Sequence, residues 1–277
     1  MYADDTTIFI KGESCQETVK LLNLDLSYAN SWFICNKLSL NVSKSSVIMF
    51  HPKQKIVNNV GDFNISIGGE PLIKRKQTQF LGLILDENLS WHHQIDKVIL
   101  SVNKSLYLIN RVKHLLNQNL LRMLYSSLIN SHLNYGLIFW GYGPKYKINI
   151  ILKLQKRAMR MITGLGYRDH TQEIFKRLNV LKIDDLTKLN AYLFMYDIIK
   201  GKVPTRIKQL FPKKQSGHYT RQDPNIRFAH MNTLSISKNS FLHQCPLLWL
   251  ELDQEIRLLS NKQTFKKKIR KLILSGY

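Results

Sequence analysis

The sequence predicts an α+β fold, with a small mixed head over residues 1–86 and a mainly helical body over residues 87–277. Three observations lead there. Short apolar runs in the head alternate with polar residues and are broken by turn formers. Beyond Ser90, apolar residues recur at helical spacing almost throughout. The charge divides the same way. The first thirty residues hold five acids and two bases, a balance of −3, so the remainder carries +25 and the whole chain +22.

Residues 1–10 read as a tight hairpin, two apolar stubs flanking Asp4 and Asp5. A helix should follow, because Ser14 and Glu17 have capping-box spacing. Val19, Leu22, Leu26, Ala29 and Phe33 then repeat at helical intervals, and Asn36 is the expected stop. Residues 46–86 look β-rich. A strand is expected over 47–50. Phe63, Ile65 and Ile67 alternate before a Gly68-Gly69 turn, and residues 79–85 read as a strand with Gly82 inside it. In the body, Ile95, Val98, Val102, Leu106 and Ile109 form one helical stripe. Leu120, Leu121, Leu124, Tyr125 and Leu128 form a second, and Ile151, Leu154, Ala158 and Ile162 a third. A fourth helix over 184–200 should stop at Gly201 and Pro204. A basic, Pro-containing connection follows over 201–224, and Phe265, Ile269 and Leu272 mark a last helix.

Composition narrows the function. Lys and Arg total 41 against 19 acids. Such an excess suits a polyanionic partner, because each cation set against a phosphate releases counterions. Three dispersed cysteines argue against a disulfide scaffold and fit a reducing compartment. No apolar run approaches the about 18 residues of a membrane span, and no signal peptide is visible. The expected location is the cytoplasm or nucleus. Nine histidines form no zinc-like spacing, so a histidine metal site is not expected.

Tyr2-Ala3-Asp4-Asp5 is the first motif that carries chemistry. Adjacent carboxylates on a hairpin tip offer hard oxygen ligands to Mg2+. Phosphoryl-transfer enzymes hold two such ions about 4 Å apart, one at the attacking and one at the leaving oxygen. A solvated Asp turn is the plain alternative. Further along come Leu40-Asn41-Val42-Ser43-Lys44 and then Phe80-Leu81-Gly82. Lys44, one base among 41, reads equally as a solvated charge, and Phe80 and Leu81 read as core on any account.

In this order the motifs resemble the palm of a reverse transcriptase. The resemblance implies that Asp4 is a metal ligand and Asp5 its supporting or second-ligand partner. It implies Lys44 near the triphosphate, as a proton donor to the pyrophosphate leaving group, and Phe80, Leu81 and Gly82 at the primer grip. Later segments look like those downstream of the polymerase in jockey-like and related non-LTR (LINE-type) retrotransposons. They are Leu154-Gln155-Lys156-Arg157-Ala158 with Ile162-Thr163-Gly164, Tyr167-Arg168-Asp169-His170-Thr171, His218-Tyr219-Thr220-Arg221, and the stretch from Trp249 through Glu255-Ile256-Arg257 to Phe265-Lys266. The likeness therefore covers nearly the whole chain. It implies a partial palm with a primer-grip-like hairpin (1–86), a helical thumb-like and connection region (87–200) and a basic C-terminal region (201–277). The implied reaction is RNA-templated DNA synthesis with Mg2+, and the implied partners are an RNA template and a DNA primer or target.

That family's polymerase also uses an earlier strand with a further metal-binding aspartate, and fingers that hold the nucleotide. The expectation is therefore a truncated copy, inactive alone, that an upstream palm and fingers segment would complete. The rival reading is a non-catalytic nucleic-acid-binding protein derived from a retroelement. The enzyme needs Asp4 and Asp5; the binder does not.

The basic surfaces support either reading. Lys153, Lys156, Arg157 and Arg160 fall at i, i+3, i+4 and i+7, on one helical face. A four-residue step rises about 6 Å, comparable to the spacing of successive phosphates. A solvated amphipathic face is the equal alternative. Lys213, Lys214 and Arg221 belong to an acid-free run over 200–221, where His218 and Tyr219 could stack on unpaired bases. Lys262, Lys266, Lys267, Lys268, Arg270 and Lys271 make the last helix basic and amphipathic, suited to nucleic acid, anionic lipid or water.

Overall fold

A computed structural model describes residues 5–51, 64–211 and 240–277. It divides into two compact units, Met1–Ser90 and Trp91–Tyr277. Helices dominate and the strands are few and short, so the architecture is α+β in the broad sense.

The first unit departs from the expected hairpin over residues 1–10. Asp5 makes an isolated bridge, residues 6–10 form no strand, and the start of the hairpin lies outside the described residues. Helix α1 (Cys15–Cys35) forms as its capping residues dictate. Ser14 Oγ accepts the Glu17 N–H at 3.2 Å, and the Glu17 carboxylate accepts the Glu13 N–H at 3.1 Å. Asn36 ends the helix. After a short 3-10 turn (Val42–Lys44), strand β1 (Ser46–Val47) pairs in parallel with β4 (Ile73–Lys74). Strands β2 (Ser66–Ile67) and β3 (Glu70–Pro71) form the hairpin expected at Gly68-Gly69, whose φ values of 58° and 85° suit a two-residue turn.

The expected strand over 79–85 is instead a second hairpin, β5 (Gln77–Phe80) against β6 (Leu83–Asp86). Gly82 is not inside a strand. It shares the turn with Leu81, and both have positive φ, 44° and 80°. Leucine is a poor residue for that region, which is why the turn is hard to see in the sequence.

The core of this unit is small. Val19 and Leu26 of α1 pack with Ile65 and Ile67 around β2. Asn23 fastens the same contact, donating to the Asn64 carbonyl at 3.0 Å and accepting the Ser66 N–H at 3.1 Å. The opposite side of α1 leaves Leu21, Leu24, Tyr28 and Trp32 exposed.

The second unit is built from α2 (His92–Val112), α3 (Gln118–Leu124), α4 (Ser131–Asn134), α5 (Leu137–Trp140) and α6 (Lys145–Thr163). They are followed by α7 (Gln172–Arg177), α8 (Ile183–Ile199), α9 (Thr205–Gln209), α10 (Phe241–Glu251), α11 (Gln254–Arg257) and α12 (Lys262–Ser275). The first stripe, Ile95 to Ile109, is buried, and α2 packs on α6, whose Ile151, Ala158 and Ile162 are buried in turn. The second stripe is not one regular helix. Between α3 and α4 the chain makes a π-helical turn (Tyr125–Asn130), and Leu120 faces outward. Ser105 Oγ donates to the Leu128 carbonyl in that turn at 2.9 Å, a side-chain partner for backbone the wider coil displaces. Helix α8 stops before Gly201, whose φ is 69°. Helices α10 and α12 both pack on α8. The apolar side of α12 is not a free amphipathic face, because Phe265 and Ile269 are fully buried.

The two cores differ in depth, and exchange kinetics should show it. Amides of α1 should exchange with solvent well before those of α2 and α6 in native-state hydrogen exchange. Matching protection in all three helices would contradict the contrast between a four-residue apolar cluster and the extended core of the second unit.

Candidate nucleic-acid interface

Asp4 lies outside the described residues, and Asp5 is exposed at its bridge. Lys44 is exposed at the end of the 3-10 turn. Asn41 builds that turn: its Oδ1 accepts the Lys44 N–H at 3.2 Å and the Ser43 hydroxyl at 2.7 Å. The Asn of the Leu-Asn-x-x-Lys segment therefore shapes the backbone that carries the lysine. Phe80 and the exposed Leu81 sit at the β5–β6 turn. The Phe9 ring, four residues after Asp5, meets the Phe80 ring edge-on at 5.9 Å. The segment after the carboxylate pair and the Phe-Leu-Gly turn are thus neighbours.

One residue of this unit was not anticipated. Asp86, at the end of β6, is buried, and its carboxylate accepts the N–H groups of Asn88 and Ser90 and the Ser90 hydroxyl at 3.0–3.1 Å. It organises the 87–90 turn.

Magnesium prefers several oxygen ligands in near-octahedral array. Among the described residues no group of three or more His, Cys, Asp or Glu is placed to hold a metal ion, and Asp5 alone of its pair is described. A single carboxylate is too few for magnesium, and the Asp4 that would complete the pair lies outside the described residues.

The basic stripe lies on α6. Lys153 and Arg157 are exposed and Lys156 is half-buried. Among the described residues none of the three forms a salt bridge, whereas Lys145 and Lys147 on the same helix pair with Asp184 and Asp96. Arg160 does something else. Its Nε and Nη2 donate to the Asp169 carbonyl at 3.0 and 2.8 Å, so it fastens a loop. Lys213, Lys214 and Arg221, with His218 and Tyr219, lie outside the described residues.

The sequence holds a further signal. Residues 97–168 contain no Asp or Glu and twelve Lys or Arg. They include most of α2 and the whole of α3 to α6, so from Lys97 to Arg168 the chain itself supplies no carboxylate beside the stripe. The Leu-Gln-Lys-Arg segment also has a structural half. Gln155 points inward, fully buried. Its amide donates to the Tyr125 hydroxyl at 2.9 Å and the Leu181 carbonyl at 3.2 Å, and its Oε1 accepts the Ile183 N–H at 2.8 Å. Burial pushes the Tyr125 hydroxyl up to about 12, so it stays a neutral hydrogen-bonding group.

On a helix the segment alternates an inward amide with outward cations. The chain is related to the RNA-directed DNA polymerases of non-LTR, LINE-type mobile elements. It is 25% identical over 198 residues to the RNA-directed DNA polymerase from mobile element jockey of Drosophila funebris, covering 66% of this chain and 20% of that protein. The jockey polymerase of Drosophila melanogaster is also 25% identical, over 201 residues, 70% of this chain and 21% of the relative. A probable RNA-directed DNA polymerase from transposon BS of the same fly is 26% identical over 188 residues, 66% of this chain and 20% of its own. The chain thus spans about a fifth of the length of the curated relatives it matches. No family model and no solved structure matches it.

Proposed function

We propose that the chain is a nucleic-acid-binding part of a non-LTR reverse transcriptase, running from the carboxylate turn of the palm through a thumb-like helical region. The observation that carries this reading is the similarity to jockey polymerases over two-thirds of the chain. The acid-free basic surface of residues 97–168 supports it. On this reading the first unit is a partial palm. Asp4 and Asp5 are its magnesium-facing carboxylates, Lys44 lies near the nucleotide phosphates, and Phe80 to Gly82 grip the primer end. The helical unit holds RNA template and DNA primer through their backbones, which gives affinity with little sequence choice.

Binding should therefore weaken steeply with salt. If Lys153, Lys156 and Arg157 each meet a phosphate, they alone should cost about 20- to 40-fold in affinity over a fourfold rise in salt. Fluorescence anisotropy with a labelled RNA–DNA hybrid checks this. Replacing the three by Ala should flatten the log–log slope by about 2 to 3. An unchanged slope would remove α6 from the interface.

A non-catalytic binder is the second reading, favoured by the basic, acid-free run of residues 97–168, which needs neither Asp4 nor Asp5. Primer extension on an RNA template with magnesium, with a palm and fingers segment of a jockey-like polymerase added as a second polypeptide, separates the two. Incorporation that disappears in the Asp4→Ala, Asp5→Ala variant supports the enzyme, and its absence alongside salt-sensitive binding supports the binder.

A further inference from the structure

The turn between α6 and α7 is exposed, yet hydrogen bonds hold it at both ends. Gly164 ends α6 in the left-handed region at φ 70°, and the Gly164 and Leu165 N–H groups both return to the Arg160 carbonyl. Arg160 then reaches across to the Asp169 carbonyl with two N–H donors. The Asp169 carboxylate accepts the Gly166 N–H at 2.8 Å, and the Asp169 N–H donates to the Gly166 carbonyl at 3.2 Å. At the tip stands Tyr167, 87% exposed, with exposed Leu165, Arg168 and His170 around it. A lone exposed tyrosine needs no explanation. This one sits beside Arg168 on a turn fixed from both ends, and the residue that fixes it is the last member of the basic stripe on α6.

We propose that this turn is a base-stacking platform, with Tyr167 the stacking ring and Arg168 its phosphate partner, for unpaired nucleotides of a strand tracked along α6. The proposal rests on the nucleic-acid reading of α6 and adds the kind of strand and the contact. A phenol ring stacks on any base without reading its edge, and a guanidinium beside it meets the adjoining phosphate. Both faces of a ring so exposed are open, which a base needs and a packed core ring lacks. Holding the backbone beforehand spares the ordering cost that a slack loop would meet on binding. The Asp169 carboxylate, the one acid in the turn, is engaged by the Gly166 N–H beneath it. Paired bases offer no free face in mid-duplex, so the platform selects the unpaired nucleotides of single strands and loops.

The test uses the full chain with a labelled single-stranded RNA and a blunt-ended duplex of the same sequence. Tyr167→Ala should weaken single-strand binding by about 5- to 100-fold, with less than about a twofold change on duplex. Tyr167→Phe should keep wild-type affinity, since stacking needs the ring and not the hydroxyl. Ultraviolet crosslinking to 5-iodouridine RNA should label the peptide that carries Tyr167. Unaltered single-strand binding in Tyr167→Ala overturns the platform. It leaves the α6 reading standing if the Lys153, Lys156, Arg157 triple Ala variant still loses both ligands. Equal losses on strand and duplex in Tyr167→Ala also overturn it, by making the contact one with the backbone. A wild-type chain that binds neither ligand overturns platform and stripe together.

Discussion

Gln155→Leu should lower the stability of the second unit by about 3 to 5 kcal/mol, read as a shift of the urea midpoint. The side chain is fully buried and ties three places together: Tyr125 in the π-helical turn, the Leu181 carbonyl before α8, and the Ile183 N–H that opens α8. Leucine fills a similar volume but leaves those three groups unpartnered. Each costs about 1 to 3 kcal/mol when buried without a partner, and the apolar gain of leucine offsets part of the sum. Gln155→Glu separates hydrogen bonding from shape. A protonated Glu can donate from one oxygen and accept the Ile183 N–H on the other, whereas an ionised one meets strong desolvation. Burial would raise its pKa in the fold, so the fold binds its proton more tightly than the unfolded chain does. Its stabilising contribution should be fully present below the unfolded value of about 4.3 and be lost as pH rises through the folded value. Wild-type stability should show no such loss over that window. A leucine variant as stable as wild type would mean that the three bonds do not hold the unit together.

The stripes of α2 and α6 were legible because one face of each helix is wholly buried, which forces strict apolar periodicity. Where several principles compete, the sequence misleads. Leu120 to Leu128 fits a regular helix, yet the chain widens at Tyr125, where Ser105 supplies a bond from 23 residues away. Pro246 stands in the middle of α10, where proline disfavours a helix, and burial of Cys245, Pro246 and Trp249 outweighs that local preference. The Leu81-Gly82 turn was hidden by a leucine in a conformation that asparagine or glycine usually occupies.

The candidate site divides similarly. Charge, spacing and motif order point to α6 and to the palm-like residues, because these are local properties of the sequence. The partner of a long side chain is not local. Arg160 shares the spacing of Lys153 and Arg157, but a carbonyl nine residues on claims its guanidinium. The same blindness hid the buried role of Gln155 inside an apparently basic segment, and the inward carboxylate of Asp86.

Phe265→Ala should cost the second unit about 3 to 5 kcal/mol, the usual loss when a buried ring is cut to a methyl group. The ring lies 4.7 Å from that of Tyr196 in α8 and 5.7 Å from that of Trp249 in α10, fully buried. Its helix is fixed at other points. Lys262 pairs with Asp197, Arg270 donates to Asn179, and the Tyr277 hydroxyl donates to Asp185 while accepting the Lys182 N–H at 2.9 Å. Burial, and then the hydrogen bond to Asp185, hold the Tyr277 hydroxyl well above its ordinary pKa, so that latch stays protonated at neutral pH. The alternative is that α12 is a detachable basic tail whose packing adds nothing to the fold. Two variants distinguish these. Phe265→Ala should lower the urea midpoint by roughly 1 M or more, since slopes for small proteins run at about 1 to 3 kcal/mol per molar. Lys266, Lys267 and Lys268 are exposed on the same helix. Replacing all three by Ala should move the midpoint little, because exposed substitutions usually change stability by about half a kcal/mol or less. The triple variant should instead bind RNA more weakly and with a shallower salt slope if the lysines meet phosphate. A detachable tail would give the opposite stability result, a Phe265→Ala midpoint indistinguishable from wild type. Packing of one face and charge on the other are thus separable in a single helix, as they are on α6.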